Sequence, residues 1–141
     1  MSREAIESLI PHRAPMLLLD EIVQADGHGI TCRKTFHADE FFLQGHYPDF
    51  PLVPGVMLCE CAMQAGGVLV ARRVGRAAGI PVATRMNNVR FRHMVHPGEV
   101  VDIQVTLVER LANAFFMKAK VACAGKTAVQ FEFACALVDK P

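Results

Sequence analysis

The sequence predicts an α+β architecture in which an antiparallel sheet wraps around one long, buried helix. Three observations predict it. Residues 56–71 (VMLCECAMQAGGVLVA) form an apolar run whose only strongly polar side chains are Glu60 and Gln64. Apolar residues on nearly every face mean that most of the helix circumference must be covered. Val101, Ile103, Val105 and Leu107 alternate with Asp102, Gln104 and Thr106, the two-residue period of a strand with one buried face. Residues 114–123 and 127–138 flank Ala124-Gly125-Lys126, two strands joined by a hairpin turn. A one-sided antiparallel sheet needs apolar cover, and the helix supplies it. At 141 residues the chain is expected to hold one such core, a single domain over residues 1–141.

Each element has a local reason. Residues 3–9 are expected to form a short helix, with Ser2 as N-cap, acidic side chains near the first turn and Pro11 ending it. Residues 16–24 are rich in Leu, Ile and Val; Ala25-Asp26-Gly27-His28-Gly29 supplies turn chemistry, and residues 30–36 return as the second strand of a hairpin. A short helical turn around residues 39–42 leads into the loop Gln44-Gly45-His46-Tyr47-Pro48-Asp49-Phe50-Pro51. Pro54-Gly55 opens the long helix, because proline suits a first helical turn. The helix should run through Arg73 and stop before Gly79-Ile80-Pro81. Gly66-Gly67 lowers helix propensity but admits close approach of another backbone. The remaining sequence reads mainly as strand.

Composition narrows the function classes. With 52% hydrophobic residues and a formal charge of +1, the chain reads as globular, with the apolar surplus common where a subunit interface is also buried. Arg72, Arg73 and Arg76, and later Arg85, Arg90 and Arg92, read first as solvated faces and second as anion contacts; nucleic-acid binding is disfavoured. The charged N-terminus lacks the apolar core of a signal peptide, and the apolar run is shorter than the ~20 residues of a spanning helix, so a cytoplasmic location without membrane insertion is expected. Five cysteines (Cys32, Cys59, Cys61, Cys123, Cys135) show no Cys-x-x-Cys spacing and are expected as free buried thiols.

Glu60 carries the chemical signal. A lone carboxyl in an apolar helix must be paired, hydrogen-bonded or protonated. Gln64, one turn on, shares its face and is placed to orient it. The upstream loop holds His46. A helix Glu and a loop His together read as a general acid and a general base.

These residues resemble a known family. Gly45-His46-Tyr47-Pro48-Asp49-Phe50-Pro51-Leu52-Val53-Pro54-Gly55-Val56, followed by Glu60 and Ala62-Met63-Gln64-Ala65-Gly66-Gly67, is similar to the central motif of the β-hydroxyacyl-acyl carrier protein dehydratases, which have the hotdog fold. Pro11-His12-Arg13-Ala14-Pro15-Met16-Leu17-Leu18-Leu19-Asp20, Asn88-Val89-Arg90-Phe91 and Pro97-Gly98-Glu99 resemble further family signatures in the same order along the chain. The resemblance implies a lyase that dehydrates 3-hydroxyacyl carrier-protein thioesters to trans-2-enoyl thioesters in fatty-acid or related lipid synthesis. It implies His46 as base, Glu60 as acid, the Gly55 N–H as donor to the thioester carbonyl and Gln64 as support. Glu at position 60 points to the branch that only dehydrates. No cofactor or metal is implied. The implied partners are an acyl carrier protein and a second copy, with each site at the dimer interface and a trimer of dimers as a further assembly.

Two segments depart from the family pattern. Ala83-Thr84-Arg85-Met86-Asn87-Asn88 lacks the usual glycine, and His93-Met94-Val95-His96 replaces a basic, proline-containing stretch. Met57, Met63, Met86 and Phe91 read as core first and acyl-tunnel lining second. His12 and Arg13 read as anchors of the N-terminal segment; His93 and His96 lack a third ligand for a metal. Cys59 and Cys61 sit in apolar surroundings that suppress a thiolate. Two other functions stay open beside the dehydratase: a hotdog thioesterase and a non-catalytic acyl-carrier binding module. His46 in its loop disfavours the first, because hydrolysis needs no base at the α-carbon. The intact His/Glu pair disfavours the second.

Overall fold

In the computed structural model, which describes residues 1–139, Ser2 caps the first helix by accepting from Ala5 N at 3.3 Å. This helix, α1 (Arg3–Glu7), stops short of residue 9. The expected hairpin follows as β1 (Glu21–Ala25) and β2 (Gly29–Thr35), paired antiparallel. Its turn closes because Asp26 accepts from His28 N at 2.7 Å and Gly29 N at 2.9 Å. Residues 16–20 lie outside the strand: Leu17, Leu18 and Leu19 are buried, but no ladder includes them. A single 3-10 turn (Phe41–Leu43) precedes the loop carrying His46.

The long helix, α2 (Gly55–Val74), begins after Pro54 and ends at Gly75, whose φ of 82° is open to glycine and few other residues. It ends before the expected boundary at Gly79, a short 3-10 turn (Arg76–Ala78) filling the gap. Three long strands follow β3 (Ile80–Phe91): β4 (Val100–Leu111), β5 (Ala114–Cys123) and β6 (Lys126–Val138). All neighbours are antiparallel, in the order β1-β2-β4-β5-β6-β3. In the β5–β6 turn, Ala124 and Gly125 both have positive φ (51° and 79°), the backbone of a tight two-residue hairpin loop.

The sheet curls over α2. Val101, Ile103 and Val105 of β4 and Phe115, Met117 and Val121 of β5 are buried, as are Leu58, Val68, Leu69 and Val70 of the helix. Each large apolar side chain so enclosed contributes roughly 1.5–3 kcal/mol. At 20 residues α2 is long enough to cross a membrane, but 61% of its apolar window is buried within the protein. Gly66 differs from its expected role. What approaches it is a side chain and not a backbone: a Cβ there would lie 2.6 Å from Phe133 Cζ and 3.2 Å from Met117 Sδ.

Among the described residues, two uncovered places lie near the loop of residues 44–51 and the long helix. The first half of α2 keeps Val56 exposed and Met57, Glu60 and Met63 only partly buried. The last strand in the sheet, β3, has one unpaired edge and is exposed along most of its length, with Val82, Met86 and Phe91 at 45%, 40% and 55%. Met86 and Phe91 are therefore not core in the single chain, contrary to their first reading.

Candidate active site

Glu60 is held by the segment that the Pro11-to-Asp20 signature encodes. Gln64 is buried and fully committed. Its Oε1 accepts from Leu18 N at 2.9 Å, and its Nε2 donates to Met16 O at 2.8 Å and to Glu60 Oε2 at 2.9 Å. The two backbone partners determine which end of the amide is which. Gln64 therefore donates to Oε2, and a proton on the neutral carboxylic acid belongs on Oε1. Glu60 is less enclosed than an apolar helix implied: a quarter of its side chain is exposed in the single chain. With Gln64, His12 and Met63 it lines a cavity of about 340 Å³ that also reaches Pro81 and Phe133.

His46 stands in the opposite kind of setting, on a tight loop. Gly45 and Tyr47 on either side of it have positive φ (82° and 54°). For the tyrosine this costs about 1–2 kcal/mol, offset in part by ring packing against His46 and Phe50 (centroids 4.5 and 5.8 Å apart). His46 Nδ1 lies 2.8 Å from Leu52 O. A carbonyl oxygen only accepts, so Nδ1 carries the hydrogen, and in the neutral ring Nε2 keeps the free lone pair. That lone pair is what a general base needs.

Gly55 shares a cavity of about 870 Å³ with His46, Phe50, Phe91, Arg92 and His93. It opens α2, and Pro54 provides no side-chain cap, so first-turn N–H groups remain available to an acceptor in the cavity. Phe91 explains the missing side chain: a Cβ on Gly55 would lie 2.5 Å from Phe91 Cε1. His46 and Gly55 thus meet in one cavity, and Glu60 and Gln64 in another. Five residues of helix separate Gly55 from Glu60, a rotation of about 140° and a rise of about 7.5 Å. One chain does not bring His46 and Glu60 together.

A buried ion pair carries the His46 loop, and sequence reasoning missed it. Lys34 on β2 is only 3% exposed, and its Nζ lies 2.7 Å from Glu40 Oε2. Glu40 also accepts from His37 N at 3.3 Å. The available signal was one Lys at a position where the alternation of β2 points inward. Farther along, Val53 N donates to Val95 O at 2.7 Å, tying the loop to the segment of residues 93–96. That segment is shaped by Glu99, which accepts from His96 N at 2.8 Å. This bond holds the Glu99 carboxyl below the usual glutamate range, helped by the Cys123 thiol.

The other expected residues fall in several places. Arg73 donates to Gly27 O and Arg76 to Ser8 O, while Arg72 reaches Met1 Sδ, so these cations tie the helix end to neighbouring segments. Arg90 and Arg92 are exposed, Arg92 at the His46 cavity. Arg13 anchors its segment as expected, donating to Glu7 O, Ile10 O and His12 O. His12 instead faces Glu60, its Nε2 lying 3.9 Å from Oε2. All five cysteines are buried and free; burial pushes Cys59 up to about 11 and Cys32 to about 12. The departing segment of residues 83–88 lies on the exposed edge strand, where the β3–β6 register shifts twice.

The family model described as the FabA-like domain matches residues 10–132. A 3-hydroxyacyl-[acyl-carrier-protein] dehydratase FabZ of Oleidesulfovibrio alaskensis is 34% identical over 138 residues, covering 96% of this chain and 90% of the relative. The protein of the same name from Pseudothermotoga lettingae is 36% identical over 126 residues, with 89% of each covered. Among solved structures, the dehydratase heterocomplex ApeI:P from Xenorhabdus doucetiae superposes with a TM-score of 0.83 at 23% identity, over 96% of this chain and 91% of that one. A hypothetical thioesterase with coenzyme A from Streptococcus pneumoniae TIGR4 reaches 0.68 at 12% identity, over 85% and 86%. At these identities the two structures show the shared fold alone.

Proposed function

The chain belongs to the FabA-like domain family, with FabZ dehydratases among its relatives, and from that premise we infer that it is a lyase that dehydrates a 3-hydroxyacyl chain carried on acyl carrier protein. The observation that carries the reading to particular atoms is the free Nε2 of His46 in the same cavity as the Gly55 N–H. In our reading the thioester carbonyl accepts from Gly55 N–H at the helix N-terminus, where donors and dipole favour developing negative charge. His46 Nε2 removes the α-proton; the Leu52 carbonyl then stabilises the imidazolium through Nδ1–H. Glu60 delivers its Oε1 proton to the departing hydroxyl, and water leaves with the trans-2-enoyl thioester as product. Gln64 keeps Oε2 occupied throughout.

The separation of the two cavities supports a homodimer in which His46 of one copy works with Glu60 of the other. The unpaired β3 edge and the exposed Val56, Phe91 and Met94 support the same assembly, since long apolar edges of this kind are normally covered. Free buried thiols support a reducing, cytoplasmic setting. Arg90 and Arg92 are the cations we assign to the acidic carrier protein; Arg72, Arg73 and Arg76 are already engaged.

One experiment tests the reading: following enoyl formation and free-thiol release from a 3-hydroxyacyl carrier-protein thioester. Enoyl product is expected from the wild type, with kcat reduced by roughly 10²–10⁴ in His46→Ala and Glu60→Gln. Arg90→Glu/Arg92→Glu is expected to raise KM for the carrier at low salt while leaving kcat largely intact. Free thiol without enoyl product would instead assign a thioesterase; neither product would assign a binding module.

A further inference from the structure

His12 is a titratable side chain beside Glu60 that the mechanism above leaves unused. Two observations bear on it. Its Nδ1 is the single buried side-chain nitrogen or oxygen among the described residues with no hydrogen-bond partner. Its Nε2 lies 3.9 Å from Glu60 Oε2, and both residues line the cavity of about 340 Å³. A hydrogen on Nδ1 would have no acceptor, whereas a hydrogen on Nε2 faces a carboxyl oxygen. The ring is held there by its chain neighbours. Arg13 pins the carbonyls of Ile10 and His12 at 2.9 and 2.7 Å, and Gln64 holds Met16 and Leu18.

From this geometry we propose that His12 is a positioning residue for Glu60, donating from Nε2–H to the same oxygen that Gln64 Nε2 engages. Two donors on Oε2 confine the transferable proton to Oε1 and turn that oxygen toward the cavity. A distance of 3.9 Å is long for a hydrogen bond, but contacts between catalytic groups shorten when substrate fills the site. The arrangement also accounts for the distribution of roles in the N-terminal segment. Arg13 makes the backbone bonds that fold it, and His12 makes none, so its imidazole is not needed to close the loop. The inference rests on the dehydratase reading for its kinetic consequence and on geometry alone for its tautomer.

The test has a spectroscopic and a kinetic arm. A long-range ¹H–¹⁵N spectrum of histidine-labelled wild-type protein is expected to show His12 as the Nε2–H tautomer; an Nδ1–H tautomer overturns the proposal whether or not the protein is a dehydratase. In the enoyl assay, His12→Leu is expected to lower kcat roughly tenfold with KM nearly unchanged, a fraction of the ~10²–10⁴ carried by a general acid itself. His12→Gln, which returns an N–H donor near the position of Nε2, is expected to recover most of that loss. Wild-type kcat in His12→Leu, or equal losses in the Leu and Gln variants, overturns the proposal. A wild type that makes no enoyl product defeats the dehydratase reading instead, and the tautomer then still decides the placement of His12.

Discussion

Gln64 joins the N-terminal segment to α2 with every polar atom of its amide committed, and its Nε2 engages one oxygen of Glu60, Oε2. The ionisation of the thiols depends on their surroundings. Cys32 is pushed up to about 12 and Cys59 and Cys135 to about 11, and Cys61 is raised further, in each case chiefly by loss of solvation. In the unfolded chain these thiols ionise near the ordinary value of 9.0. The raised folded values therefore contribute stability that is intact below about pH 9 and is lost as pH climbs toward 11–12, because only the unfolded chain then releases protons. The expected outcome is an unfolding free energy, from urea titration, that falls between pH 9 and 11 by up to ~1.4 kcal/mol per pH unit for each thiol. Cys32→Ala should flatten that decline; an identical decline in the variant would remove the thiol as its cause.

Two elements owe their geometry to contacts across the fold. Beside α2, Gly55 meets Phe91 and Gly66 meets Phe133, both closer than any Cβ would allow. Phe91 is exposed and Phe133 is buried, so the second contact is the one enclosed by the core. The loop that carries His46 is secured at its base by the Lys34–Glu40 pair. Lys34→Met leaves Glu40 without its cation and is expected to cost about 3–5 kcal/mol in urea denaturation. Lys34→Met/Glu40→Met removes both charges and should cost less than the single change. A single variant within ~0.5 kcal/mol of wild type would show that the pair does not hold the loop.

In the single chain, His46 and Glu60 open into different cavities, and the β3 edge is bare. If a second copy unites them, each site takes its base from one chain and its acid from the other. Mixing His46→Ala with Glu60→Gln under exchange then yields mixed dimers with one intact and one doubly defective site. With random exchange about a quarter of wild-type activity should return. Sites contained within single chains would give no recovery.

Much of this protein was legible before folding was considered. The apolar run with one carboxyl, the period-2 strand at residues 101–107 and the Ala124-Gly125 turn each encode their element in local pattern, because burial follows side-chain periodicity and turns follow permitted backbone angles. His46, Glu60 and Gln64 were readable as a group because they lie close together along the chain; the part assigned to Gly55 came only from the family resemblance. The strand β3 was not assigned as an element of its own, since an exposed edge shows no alternation. The Lys34–Glu40 pair, the Phe91 ring over Gly55 and the turn of His12 toward Glu60 were equally unreadable. These depend on which segments meet after the sheet has curled around α2, and sequence spacing does not measure that distance. Local pattern determined the elements and the candidate residues they carry; long-range packing determined which oxygen of Glu60 is engaged by Gln64, which nitrogen of His46 meets the Leu52 carbonyl, and that the two face different cavities.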